Sequence, residues 1–121
     1  MIQVRSRLIP ADNSGAKSLK VIGIPGSNKR RATLGDVIVA SVDRADPTGA
    51  VKDSELVRVV IVRTKKECRR KDGSYVRFDD NAGVVVDTQG IPRGTRVFGS
   101  IAREVKERGF AKIASLAQEV V

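Results

Sequence analysis

The chain has 121 residues, and 23 Lys and Arg against 14 Asp and Glu give a net charge of +9 and a pI near 10.3. That length fits one domain with a core of its own, and the charge suits a polyanionic partner without specifying a fold. The single cysteine, Cys68, excludes an internal disulfide, and the chain has no histidine to act in catalysis.

No run approaches the length of a transmembrane helix, no signal-peptide pattern opens the chain, and no long basic amphipathic helix suits a membrane surface. The sequence therefore reads as soluble and intracellular. In chain order, IQVRSRLI (2–9) alternates in part and predicts a first strand with Arg5 and Arg7 on one face. Asp12-Asn13-Ser14-Gly15 is a compact turn, because Asx side chains bond nearby backbone and Gly15 accepts positive φ. KSLKVIGI (17–24) predicts a second strand ending at Pro25-Gly26, and the next loop carries Lys29, Arg30 and Arg31. Gly35-Asp36 leads into VIVASV, whose nearly continuous apolar character predicts a third strand buried on both sides. Pro47-Thr48-Gly49 marks another turn.

Residues 56–86 dominate the reading. Val57 to Val62 is a β-branched run interrupted by Arg58, the pattern of a buried strand. Six cations follow (Arg63, Lys65, Lys66, Arg69, Arg70 and Lys71) around the lone anion Glu67. Asp72-Gly73 predicts a two-residue hairpin turn, since both residues tolerate positive φ. SYVRF returns through Asp79, Asp80 and Asn81 to the apolar Val84–Val86. Two core strands thus extend into a basic β-ribbon over about 63–79. Alternation places Arg63, Lys65, Arg69 and Lys71 on one face, and Lys66 and Arg70 on the other. An eight-residue outgoing strand would make an arm about 25 Å long. An isolated basic hairpin is marginal in water, so nucleic acid is the natural partner. The competing reading is a solvated, charged edge that prevents aggregation.

Beyond Val86, Gln89-Gly90 and Pro92-Arg93-Gly94 punctuate a loop, and TRVF (95–98) can pair as one more strand. Ser100 is a candidate N-cap for a short helix, IAREVKER, ended by Gly109. Ile101 and Val105 would dock it on the barrel and leave Arg103, Lys106 and Arg108 free. FAKIASLA (110–117) predicts a further helical turn. Short strands, frequent turns and late helices indicate a mainly β chain, a small five-stranded β-barrel of the OB/SH3-like kind. The predicted single domain comprises a barrel over about 1–99, the projecting basic ribbon, and short C-terminal helices over about 100–117.

Five segments carry a family resemblance: ADNSGAK (11–17), GDVIVA (35–40), VIVRTKK (60–66), DGSYVRFDDNAGVVV (72–86) and GTRVFG (94–99). In this order they resemble the universal large-subunit ribosomal protein family L-fourteen, in its bacterial or organellar form, across essentially the whole chain. Arg31 departs from an aromatic residue usual in the family, Val59 from alanine, and Gln118 from proline. The resemblance implies a five-stranded barrel, a projecting ribbon and small C-terminal helices. It also implies binding to large-subunit rRNA, a β-sheet shared with the neighbouring protein L-nineteen, and a face towards small-subunit rRNA at an intersubunit bridge. Thr95, Arg96 and Lys112 match the family's contacts to a ribosomal silencing factor.

The candidate rRNA contacts are Lys29, Arg30, Arg31, Arg63, Lys65, Lys66, Arg69, Arg70 and Lys71, with Arg5, Arg7, Lys17 and Arg44 as outliers. Lysine and arginine displace counterions from phosphate, and arginine adds bidentate contacts and stacking. No cofactor, metal or small-molecule substrate is expected. Adjacent Asp79 and Asp80 face opposite ways on a strand and suit cation pairing better than metal ligation. Cys68 has no histidine to activate it and reads as a structural thiol. Phe78, Phe98, Phe110 and Tyr75 are the only aromatics, and most are expected in the core. Their scarcity argues against a free single-strand-binding barrel, which needs stacking platforms. A metal-dependent nuclease using Asp79 and Asp80 is the third function class.

Overall fold

The computed structural model describes residues 2–25 and 31–121. In chain order its elements are β1 (Arg7–Pro10), β2 (Ala16–Gly23), β3 (Val37–Ala45), β4 (Leu56–Arg63), β5 (Cys68–Arg69), β6 (Tyr75–Val76), β7 (Ala82–Val86), β8 (Ser100–Ile101), α1 (Arg103–Glu107), α2 (Ala111–Leu116) and β9 (Glu119–Val120). Five strands close the barrel in the order β1-β2-β3-β4-β7, with β5-β6 and β8-β9 as separate two-stranded sheets. Neighbours in the barrel are antiparallel except β1 and β7, whose parallel pairing closes it.

Alternation along the strands builds two apolar layers. Leu8, Leu19, Val21, Ile38, Ala40, Val42, Val57, Val59, Ile61 and Val85 fill the barrel. On the opposite face of β4 and β7, Val60, Val62, Val84 and Val86 join Ile101, Val105 and Ile113 of the C-terminal segment in a second cluster. This explains the apolar runs Val59–Val62 of β4 and Ala82–Val86 of β7: one side faces the barrel interior and the other the C-terminal segment. β3 differs from expectation. Ile38, Ala40 and Val42 are buried, whereas Val37, Val39 and Ser41 are half-exposed because the helices reach only the edge of its outer face.

Val59 is completely buried, and Gly83 makes its room: a Cβ on Gly83 would strike the Val59 Cγ1 methyl. The larger residue at 59 is thus accommodated by the absent side chain opposite. Nothing in the structure explains Gln118.

The parallel seam is short, pairing Ile9 with Ala82 and Pro10 with Gly83, and Asp12 completes it. Its carboxylate is 6% exposed and accepts the Val85 N–H at 3.0 Å and the Ser14 hydroxyl at 2.8 Å. Burial pushes the Asp12 pKa above its usual 3.8, while the hydrogen bonds from Ser14 and Val85 pull the other way.

Several boundaries shift. The first strand starts at Arg7, because Arg5 takes a left-handed φ of 77° and breaks the run; Ile2 forms only an isolated bridge to Ala32. TRVF is not a strand, and only Val97 bridges to Asp12. Ser100 does not cap a helix: it lies in β8, parallel to β9, and α1 begins after Ala102 without a side-chain cap. The pairing with β9 joins residues 19 apart across two helices, so local capping preferences could not reveal it.

Candidate nucleic-acid interface

The ribbon is shorter and more firmly attached than a free arm. β4 stops at Arg63, and only Cys68 with Val76 and Arg69 with Tyr75 pair in the ribbon. The Phe78 N–H donates to the Thr64 carbonyl at 2.9 Å, and the Lys65 N–H to Asn81 Oδ1 at 2.8 Å. Cys68, Val76 and Phe78 pack on the barrel core. The break over 64–67 ends the predicted continuous alternation through the basic run.

The tip also differs from a two-residue turn. Arg70 N–H donates to the Ser74 carbonyl at 2.8 Å and Gly73 N–H to the Arg70 carbonyl at 3.0 Å, leaving a three-residue connection. Only Gly73 is left-handed, at φ 88°, as a tight turn followed by an αL residue requires. Asp72 instead accepts the Ser74 hydroxyl at 2.6 Å and the Ser74 N–H at 3.0 Å.

The cations divide by what their side chains touch. Arg63 donates to the Phe98 carbonyl at 2.8 Å and pairs with Asp80 at 3.0 Å, with its side chain 13% exposed. Arg70 pairs with Glu104 at 3.0 Å and donates to the Val121 carbonyl at 2.6 Å. These two arginines tie the ribbon base and tip to the C-terminal segment. Asp80 accordingly serves as a cation partner, and among the described residues no acidic or thiol cluster is arranged to hold a metal.

Lys65, Lys66, Arg69 and Lys71 project outward. Lys66 reaches Glu67 at 3.2 Å, a pair too exposed to fix either side chain. Lys66 and exposed Arg31 meet across a cleft of about 300 Å³ floored by Ile2 and Gln3, so the 31 loop and the ribbon base form one basic surface. Lys29 and Arg30 lie outside the described residues. A second cleft of about 630 Å³ separates Arg69 and Lys71 of the ribbon from Arg103 and Glu107 of α1. The sequence predicts free side chains for Arg103, Lys106 and Arg108; Arg103 and Lys106 are exposed, but Arg108 pairs with Asp36 at 3.0 Å.

On the barrel wall, Arg7 pairs with Asp43 at 2.6 Å, and Lys20 lies opposite Arg7 in the strand register. A bulge between the Ser18–Arg44 and Leu19–Val42 pairs turns both Asp43 and Arg44 outward. Arg7, foremost by its hydrogen bond, with Arg44 and Lys20, lowers the Asp43 pKa. Lys17 is exposed near Asp46, and Arg5 is exposed on its left-handed turn. The outliers thus share one wall, to which Lys20 belongs; its outward place in β2 was the signal that a search for charge runs overlooks. Arg77, exposed beside Glu67, was likewise missed in the return arm.

Tyr75 and Phe98 are 64% and 46% exposed, so only Phe78 and Phe110 serve the core as expected. Thr95, Arg96 and Lys112 are exposed. Asn13 Oδ1 accepts the Thr95 and Arg96 N–H groups at 2.7 and 2.9 Å, fixing that loop. Val97 and Ile113, next to Arg96 and Lys112, sit in one buried cluster.

The family profile described as Ribosomal protein L14p/L23e matches residues 1–121. The chain belongs to this family. The large ribosomal subunit protein uL14 of Petrotoga mobilis (strain DSM 10674 / SJ95) is 57% identical over 121 residues, covering 99% of each chain. Membership makes the protein a structural, rRNA-binding constituent of the large ribosomal subunit of bacterial type, at work in translation in the cytoplasmic ribosome. The family is one of structural proteins and is not known for enzymes.

Proposed function

We propose that the protein binds large-subunit rRNA chiefly through the outward cations of the ribbon and the adjoining loop, Lys65, Lys66, Arg69, Lys71 and Arg31, joined by Lys29 and Arg30. The carrying observation is the division of the basic run: Arg63 and Arg70 are held by carboxylates and carbonyls of the protein itself, while the four other cations point to solvent. Arg63 and Arg70 therefore act by holding the ribbon in place. Arg5, Arg7, Lys17 and Arg44 supply a second, weaker phosphate surface on the barrel wall. Shape and backbone recognition of folded RNA needs cations at fixed positions and no base-reading groups.

In the assembled ribosome the protein shares a β-sheet with protein L-nineteen and meets small-subunit rRNA at an intersubunit bridge. Thr95, Arg96 and Lys112 receive a ribosomal silencing factor, a reading supported by their exposure on one buried cluster and by the Asn13 hydrogen bonds that fix the loop. The protein cleaves no RNA. Sucrose-gradient fractionation of lysate at rising salt tests the assignment. Co-migration with the large subunit through a moderate salt wash is the expected result; migration at the top of the gradient at every salt concentration would overturn it.

A further inference from the structure

The ribbon carries an exposed aromatic ring among its cations. Exposure alternates along both arms: Cys68, Arg70, Val76 and Phe78 are half-buried, whereas Glu67, Arg69, Tyr75 and Arg77 are exposed. Cys68 lies opposite Val76 and both pack on the barrel core, so the next pair in the register, Arg69 and Tyr75, stands on the face turned away from it. Arg77 follows Tyr75 by two residues on that side, and exposed Lys71 leaves the strand at the tip two residues beyond Arg69. Tyr75 is 64% exposed, with cations ahead of it and behind it along the ribbon.

One exposed ring is ordinary by itself; its surroundings select the occupant. Among the described residues the Tyr75 side chain makes no hydrogen bond or ring contact, so the ring is not spent on the guanidinium of Arg69 opposite it. Phe98, the other exposed ring, differs: the cation beside it, Arg63, is consumed by Asp80 and by the Phe98 and Ser100 carbonyls. Paired RNA offers phosphates and sugars to cations but hides its base faces inside the helix, which leaves the ring nothing to cover. An apolar protein surface would cover the ring but bury the flanking guanidinium groups without countercharge. A nucleotide turned out of its helix meets both needs, its base on the ring and its phosphates on the cations.

We propose that Tyr75 stacks on one unpaired base of large-subunit rRNA, with Arg69, Arg77 and Lys71 on the phosphates that flank that nucleotide. The proposal rests on the rRNA-binding reading of the ribbon and adds the kind of RNA met there, a bulged or looped nucleotide. Every base has a π-face, so the stack orients the ribbon without reading sequence. One ring serves one base, and a run of stacked bases, as on a free single-strand binder, needs more platforms than this face supplies.

The test places a benzophenone-bearing amino acid at position 75, irradiates purified large subunits that contain the protein, and maps the adducts. The expected product is an adduct to one unpaired rRNA nucleotide. That nucleotide is then followed by acylation of its 2′-hydroxyl, which rises when a stacking partner is lost. Tyr75→Val, which suits a strand, should raise the reactivity about fivefold or more, as for the loss of one base–aromatic stack, and Tyr75→Phe should match the unsubstituted protein. Tyr75→Thr provides the same comparison if Tyr75→Val does not enter subunits. An adduct to protein, an adduct only to paired nucleotides, no adduct, or reactivity indifferent to the loss of the ring overturns the proposal. The same label at position 71 keeps the two readings apart. Adducts to rRNA from position 71 alone would sink the stack and leave the ribbon assignment standing, whereas none from either position would sink both.

Discussion

At the scale of single residues, charges that resemble one another in sequence do different work. Asp12 is buried because the β1–β7 seam ends at Pro10 and the Val85 N–H needs an acceptor. Asp12→Ala leaves that N–H unpaired within the core, and urea unfolding should show a loss of about 1–3 kcal/mol. Arg70 and Lys71 are neighbours in sequence, yet Arg70 is held by Glu104 and the Val121 carbonyl while Lys71 projects outward. Arg70→Ala strands Glu104 in a partly buried site and should cost up to about 3 kcal/mol of stability, below the range for fully buried pairs. Lys71→Ala should leave stability unchanged and weaken RNA binding, with the salt slope reduced by about one. Equal effects of the two substitutions on stability would contradict this division.

At the scale of elements, the ribbon depends on a three-residue connection whose left-handed position falls to Gly73. A Cβ there meets nothing within 4 Å, so Gly73→Ala carries only a conformational penalty, about 1 kcal/mol. Gly15 is also left-handed, at φ 99°, but its added Cβ would lie 2.7 Å from the Gly49 Cα where two turns cross. Gly15→Ala should therefore destabilise the barrel more than Gly73→Ala, and paired urea titrations measure the difference. Such a clash between backbones has no soft side chain to yield.

Across the whole molecule, the carboxylates set the acid limit. Arg93 lowers the Glu55 pKa from 4.5, Arg7 lowers that of Asp43 from 3.8, and the Ile91 N–H lowers that of Asp87 from 3.8. Groups lowered by folding stabilise it above their unfolded values, and the stabilisation is lost as pH falls through the folded values. Asp12 has the opposite sign: its raised pKa gives a contribution complete below 3.8 and lost as pH rises through the folded value. The melting temperature should hold at mildly acidic pH and fall below about pH 4.5 as the more numerous lowered carboxylates protonate. A melting temperature that rises on acidification from pH 5 to pH 3 would show that the Asp12 contribution dominates.

The sequence by itself determined the class of the fold and the character of the partner. Short β-branched runs separated by turn residues point to a small, mainly β domain that buries their apolar sides, and an excess of clustered cations suits a polyanion. The motifs ADNSGAK and DGSYVRFDDNAGVVV also carried the family. Only the tertiary structure decided which cations are available. Arg63 and Arg69 were assigned to one face by alternation, yet the first is consumed by Asp80 and the Phe98 carbonyl while the second faces solvent. The same holds for Ser100, whose capping chemistry was locally sound but gave way to pairing with β9. Periodicity reports how a residue sits on its own strand. Whether its charge is spent within the protein depends on groups 17 to 51 positions away, brought near by barrel closure and by the return of the C-terminal segment.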